Sequence, residues 1–253
     1  MNALLGLTAF SVFVGALIGA AGIGGVLLVP FMAYAIGLDV HLAISGAMFG
    51  YIFAGAVGAF LYARHGSIHW HMAGWLILGA MPAAFLGALT ASAASARLLE
   101  AAIAALLLFA GINALRPNSA ATGSEKKLSP PALIAIGAVT GFGSAITGTG
   151  GPLILVPLLV WLRFPVLTAV GLSQAVQFPL ASLATAGNFL FGAIDLWIGA
   201  AVGGGLAIGV ALGAKVAHAI APAVMKTVVA WIIVAVGAFI LIRLLNTALG
   251  IWP

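Results

Sequence analysis

The chain has 253 residues, of which 64% are hydrophobic and 5% charged, and it contains no cysteine. A soluble domain averages about 25% charged residues, so this composition excludes a soluble globular protein and predicts an all-α polytopic membrane protein. The lack of cysteine excludes disulfides, thiol catalysis and Cys-ligated metals. The net charge of +5 lies in short loops, which is typical of charges that set membrane topology and not of nucleic-acid binding.

The first apolar segment runs from about residue 3 to residue 36 and contains no charged residue. As one helix it would span about 51 Å, against a bilayer core of about 30 Å. Its middle, GAAGIGGVLLVP at 19–30, holds four glycines and a proline. Inside a helix Gly costs about 1 kcal/mol and Pro about 3 kcal/mol relative to Ala. We therefore expect either one crossing with an unwound middle or a re-entrant hairpin of two half-helices.

The chain then repeats itself at a spacing of about 126 residues. Gly22 corresponds to Gly148, and Pro30 corresponds to Pro157. Such a duplication predicts two homologous four-segment halves. The segments lie near 3–36, 40–63, 72–92 and 98–115, then 131–162, 165–191, 195–217 and 222–245. We predict an N-terminal transmembrane repeat at 1–115, a cytoplasmic linker at 116–130 and a C-terminal transmembrane repeat at 131–253.

The relation between the halves depends on the first and fifth segments. If all eight segments cross, the repeats are parallel and Lys and Arg divide evenly between the two sides. If these two segments are hairpins, each half crosses three times and the repeats are inverted. One side then collects Arg64, Arg116, Lys126, Lys127, Arg163, Lys215 and Lys226, and the other keeps Arg97 and Arg243. This asymmetry follows the positive-inside rule and favours inverted repeats with both termini outside.

The two interrupted segments are the candidate binding site. Backbone without helical partners survives at membrane depth only inside protein or beside a wet cavity. In secondary transporters the N-termini of broken helices present free N–H groups and a positive dipole end to an anion. The alternative is that these glycines only allow close helix packing. The candidate residues are Gly22, Gly24, Gly25, Thr147, Gly148, Thr149, Gly150 and Gly151.

Gly-x-Gly-Gly followed by an apolar run to Pro occurs twice, as GIGGVLLVP at 22–30 and as GTGGPLILVP at 148–157. This arrangement resembles the TauE/SafE family of sulfite and organosulfonate exporters over about residues 5–245. The resemblance implies a small inner-membrane carrier for sulfur-containing anions. The first copy lacks hydroxyl residues whereas the second has Thr147 and Thr149, so substrate contacts are expected to favour the second half.

Other polar residues fall within apolar segments. Ser173, Gln177 and Asn188 lie in the sixth segment, and Tyr51 stands where the repeat offset places a counterpart of Gln177. Buried amides in lipid need a partner, so these residues either bind substrate or join helices to one another. His69 and His71 flank Trp70 and are expected at the membrane interface, not in a metal site.

The sequence thus predicts a secondary transporter, not an enzyme, that exports small sulfite-like or sulfonate-like anions across the inner membrane. An uptake permease for another small anion is the alternative, followed by an intramembrane enzyme or a structural subunit. We expect an anionic substrate and bilayer lipid as partners, no cofactor, no nucleic acid and a possible homo-oligomer. The four acids, Asp39, Glu100, Glu125 and Asp195, lie near segment ends, which favours electrogenic uniport over coupling through a central carboxylate.

Overall fold

The computed structural model describes residues 2–22, 24–115, 128–192, 194–216 and 222–248, and all regular secondary structure in these ranges is helical. Six of the described helices are long and apolar enough to cross a membrane, which confirms a polytopic helical membrane protein. The predicted linker at 116–130 lies mostly outside the described residues. The helices are α1 (Asn2–Ala21), α2 (Gly25–Ala35), α3 (Val40–Arg64), α4 (Trp70–Ala93), α5 (Ala96–Leu115), α6 (Pro130–Thr147), α7 (Pro152–Trp161), α8 (Val166–Phe191), α9 (Leu196–Val216) and α10 (Pro222–Ala248).

Both overlong segments are broken, and the local sequence explains where. α1 ends before Gly22, whose φ of 67° is left-handed, and α6 ends before Gly148, whose φ is 66°. A glycine in this conformation is the common terminator of a helix. α7 restarts with Pro152 at its first position, where the missing N–H is not needed. α2 is less regular, because it passes from a 3₁₀ turn through a single α turn to a π turn.

Two tight helix pairs form the sides of the molecule. α1 packs on α9, and α4 packs on α6. In the α1–α9 pair, glycines on both helices let the two backbones touch: a Cβ on Gly15 would collide with the Leu206 carbonyl, and a Cβ on Gly213 would collide with the Ala16 carbonyl. Later residues of α1 contact later residues of α9, so the two helices run in the same direction. Close backbone approach through small residues is typical of helix contacts in membranes.

The α4–α6 contacts mirror those of α1 and α9. Adding 126 to Gly15 and subtracting 126 from Leu206 gives Gly141 against Ala80, and this contact is present. The Gly213–Ala16 contact corresponds in the same way to Gly87 against the Phe142 carbonyl. Each pair therefore joins one helix from 2–115 to one helix from 128–248, and the two pairs use equivalent residues.

α3 and α8 cross at the centre, and their order of contacts is reversed. Gly55 lies against Phe178, whereas Gly58, further along α3, lies against Gln174, earlier in α8. The two helices are therefore antiparallel. α3 runs in the same direction as α9, because Gly46 lies near Ile198 and Gly50 near Val202.

α1 and α3 consequently run in the same direction, although only α2 and short turns connect them. α2 leads from the end of α1 back to the beginning of α3. Val29 of α2 and Ile44, near the start of α3, both lie against Gly148. α7 stands in the same relation to α6 and α8. The short helices thus lie in the middle of the molecule, while α5 and α10 pack mainly on each other at its edge.

Candidate functional site

The first break is buried between α1 and α2. Gly24 and Gly25 are fully enclosed, and Gly25 begins the helix. The hydroxyl of Tyr51, itself buried in α3, donates a 2.5 Å hydrogen bond to the Gly25 carbonyl. Tyr51 therefore links α3 to the start of α2.

The second break is more polar. Thr147 donates a 2.7 Å hydrogen bond from its hydroxyl to the Gly143 carbonyl, and the Thr147 and Thr149 hydroxyls lie 3.1 Å apart. Gly150 and Gly151 follow with φ values of 77° and 107°. The two threonines and the two glycines are buried, so two hydroxyls and a tightly turned backbone lie together inside the protein.

The two breaks meet each other at the crossing of α3 and α8. A Cβ added to Gly25 would lie 3.0 Å from the Thr149 carbonyl oxygen and 2.8 Å from the Tyr51 hydroxyl. A Cβ added to Gly150 would lie 2.7 Å from the Tyr51 ring and 3.0 Å from Nε2 of Gln177. The structure thus brings five of the predicted residues into one cluster, which we call the central cluster: Gly25, Tyr51, Thr149, Gly150 and Gln177.

Gln177 is the unusual member of the central cluster. Its side chain is completely buried, yet neither its Nε2 nor its Oε1 has a hydrogen-bond partner among the described residues. An unpaired buried amide costs about 1–3 kcal/mol for each unsatisfied group. Both polar atoms of Gln177 thus lie unpaired beside the starts of α2 and α7.

The backbone adds further unpaired donors. Within the described ranges, no hydrogen bond involves the N–H groups of Gly25, Gly150 or Gly151. The first N–H groups of any helix lack partners within the helix, and α2 and α7 both start here. The central cluster therefore offers amide donors, while the hydroxyls of Tyr51, Thr147 and Thr149 already donate to other groups of the protein. The described charged residues lie near helix ends instead, for example Arg64 and Arg97.

The other predicted residues lie at or beyond the edges of this cluster. Ser173 donates its hydroxyl to the Val170 carbonyl one turn earlier, at 2.8 Å. Asn188 is eleven residues beyond Gln177, which is about 16 Å along the helix axis. It lines a small separate cavity with His41 and Ser92. Gly22 and Gly148 lie against valine side chains of the opposite half and serve the turns.

Two side chains outside the predicted site repair the end of α1. The Tyr62 hydroxyl donates a 2.9 Å hydrogen bond to the Gly19 carbonyl, and Nε2 of Gln174 donates a 3.2 Å bond to the Ile18 carbonyl. The last carbonyls of a helix need such partners, above all where water is absent. The presence of Gln174 in an apolar segment was a usable signal, whereas nothing in the sequence indicated the role of Tyr62.

Comparison with known proteins identifies the family. The model of the family described as "Sulfite exporter TauE/SafE" matches residues 7–240, which includes both breaks and nine-tenths of the chain. No curated protein and no solved structure matches the chain. With two duplicated glycine motifs, a helical membrane fold and a match over almost its whole length, the chain belongs to the TauE/SafE sulfite exporter family, a family of membrane transporters and not of enzymes.

Proposed function

We propose that this protein is a secondary transporter that carries a small sulfur-containing oxyanion out of the cell across the inner membrane. The anion binds in the central cluster, between the starts of α2 and α7. The observation that carries this proposal is the meeting of two helix N-termini around a buried, unpaired Gln177. N–H groups and dipole ends at helix starts are suited to negative charge.

We further propose that the two halves are inverted repeats, which would make the site accessible from either side in turn. The antiparallel crossing of α3 and α8, which are equivalent helices, supports this topology. It directs the ends of α3 and α9, with Arg64 and Lys215, to the side of Arg163, and it leaves Arg97 and Arg243 opposite. Tags at the two termini should both be accessible from outside; two inside termini would contradict this orientation in the membrane.

The membrane potential supplies a sufficient driving force for export. An inside-negative potential expels each negative charge with about 2.3 kcal/mol per 100 mV. A central carboxylate for proton coupling is not required, and the described acids lie near helix ends. Efflux from anion-loaded proteoliposomes should therefore respond to an imposed potential. Efflux that ignores the potential and follows a pH gradient would contradict uniport.

Binding to the purified protein tests the site directly. We expect saturable binding of sulfite, and we expect Gly150→Leu to abolish it because the new side chain collides with the Tyr51 ring and Gln177. Thr149→Val, which removes one hydroxyl, should weaken binding about tenfold, the effect of losing a hydrogen bond of roughly 1.4 kcal/mol.

A matched control separates loss of the site from loss of the fold. Gly204 lies in α9 with open space around the position of its Cβ. Gly204→Leu should insert, purify and bind sulfite like the parent protein. Unchanged affinity in Gly150→Leu, measured on protein that elutes as a folded species, would refute the assignment of the central cluster.

A further inference from the structure

The polar atoms of the central cluster restrict the protonation state of its ligand, an inference that rests on the proposed function. Gln177 presents both an unpaired donor, Nε2, and an unpaired acceptor, Oε1. Exchanging the two atoms of the amide leaves the same pair of needs, so the argument does not depend on how the amide is oriented. A ligand that satisfies both atoms must accept one hydrogen bond and donate another.

The surrounding groups strengthen this requirement. The N–H groups of Gly25 and Gly150 can serve the acceptor oxygens of an anion. The Tyr51 hydroxyl has already spent its hydrogen on the Gly25 carbonyl, so towards a ligand it can act only as an acceptor. The Gln177 amide oxygen and the Tyr51 oxygen are therefore two acceptors within the central cluster, and a fully deprotonated oxyanion has no hydrogen to donate to them.

The charge of the site leads to the same conclusion. The described residues of α2, α6, α7 and α8 contain no Asp, Glu, His, Lys or Arg, and in α3 such residues occur only near its ends, at His41 and Arg64. Without a cation, an anion is stabilised by dipoles alone. The Born cost of leaving water rises with the square of the charge, so a dianion costs about four times as much as a monoanion of equal size.

We propose that the ligand is a monoanionic oxyanion that keeps one O–H group, which for the sulfite system is hydrogen sulfite and not the sulfite dianion. Its unprotonated oxygens accept from the backbone N–H groups and from Nε2 of Gln177. Its hydroxyl donates to Oε1 of Gln177 or to the Tyr51 oxygen. Each anion bound then moves a single negative charge across the membrane.

The pH dependence of binding tests the proposal on the unmodified protein. Sulfite binding is measured by equilibrium dialysis in nanodiscs, without oxygen, over a pH series. The apparent affinity for total sulfite should fall about tenfold per pH unit once hydrogen sulfite is the minor species. Methanesulfonate, a monoanion without a donor at every pH of the series, should bind more weakly and with no pH dependence. Methanesulfonate binding also serves as a control for titration of the protein itself. Tyr51, which lies with Gln177 against Gly150, is the titratable side chain concerned.

A pair of variants links the effect to Gln177. Gln177→Met keeps the length of the side chain and removes both polar atoms, so hydrogen sulfite should lose at least tenfold in affinity and its advantage over methanesulfonate should disappear. Gln174→Met, in the same helix, removes the amide that bonds the Ile18 carbonyl. This variant should lower thermal stability and keep the pH profile and the ligand preference.

The outcomes separate the two levels of the proposal. If neither sulfite, sulfate nor methanesulfonate binds at any pH, the proposed function fails. If sulfite binds with the same or higher apparent affinity as pH rises, or if sulfate competes as well as hydrogen sulfite, transport of an anion stands and the hydrogen-bearing monoanion is refuted. If Gln177→Met binds sulfite like the parent protein, only water bonds the Gln177 amide, and the inference is overturned. The pH series on the parent protein decides the question even where the variant does not fold.

Discussion

The first and second helix breaks occupy equivalent places in the fold, yet they are built differently. The first contains only glycines and apolar residues, and the helix after it, α2, begins irregularly. The second contains two threonine hydroxyls and restarts with Pro152 at the head of a regular helix. The contacts around both are equivalent: Gly22 lies against Val156 and Val170, and Gly148 lies against Val29 and Ile44. The two breaks thus share their packing contacts and differ in their polar groups.

The largest effect that probes this comparison comes from the paired turn glycines. Both have left-handed φ values, for which a side chain costs about 1–2 kcal/mol. A Cβ on Gly148 would lie 2.5 Å from a methyl of Val29, whereas one on Gly22 would lie 3.0 Å from a methyl of Val156. Gly148→Ala should therefore destabilise the protein by about 2–3 kcal/mol and Gly22→Ala by about 1–2 kcal/mol.

Denaturant unfolding in detergent measures both values. Gly204→Ala, at a helical position with open space, is the control and should stabilise the protein by about 0.5–1 kcal/mol. Equal losses in the two variants would mean that the packing is more symmetric than the distances indicate. A larger loss at Gly22 would contradict the geometry.

A smaller effect distinguishes the two tyrosines that bind the first break. Tyr51 donates to the carbonyl that starts α2, and Tyr62 donates to a carbonyl at the end of α1. Replacing either with Phe should cost about 1–1.5 kcal/mol of stability, because one buried carbonyl loses a donor. Only Tyr51→Phe should also change sulfite affinity, since Tyr62 lies outside the central cluster. Parallel melting and binding measurements compare them, and equal affinity losses would show that Tyr62 acts on the site through α1.

The smallest effect concerns the turns that follow α2 and α7. Gly37 and Arg163 are equivalent by the repeat spacing, and both have a left-handed φ, 81° and 69°. Arg163 carries the strain that Gly37 avoids. Arg163→Gly should stabilise the fold by about 0.5–1 kcal/mol, and Arg163→Ala, which removes the same charge and keeps the strain, should not. Thermal unfolding of the two variants decides whether strain or charge is responsible.

The sequence was sufficient to predict the interruptions, because 3–36 and 131–162 exceed the thickness of a bilayer and carry glycines at matching places. Helix boundaries also follow from local signals, such as Pro152 and the left-handed Gly148. The hydrogen-bond partners of the buried glutamine side chains could not be predicted from the sequence. Gln174 and Gln177 differ by less than one turn, yet Nε2 of Gln174 bonds a carbonyl of α1, whereas both polar atoms of Gln177 are unpaired. That difference depends on which helix passes nearby, and residue spacing along α8 does not encode it.

The α1–α9 and α4–α6 pairs form at different times during synthesis of the chain. α6 finds α4 already in the membrane, because α4 precedes it in the chain. α1 faces a different situation: its glycine surface fits α9, and Gly15 meets Leu206 only after some 190 further residues have left the ribosome. Until then lipid or the insertion machinery must cover that surface. A nascent chain stopped before α9 would leave the glycine surface of α1 without its partner helix.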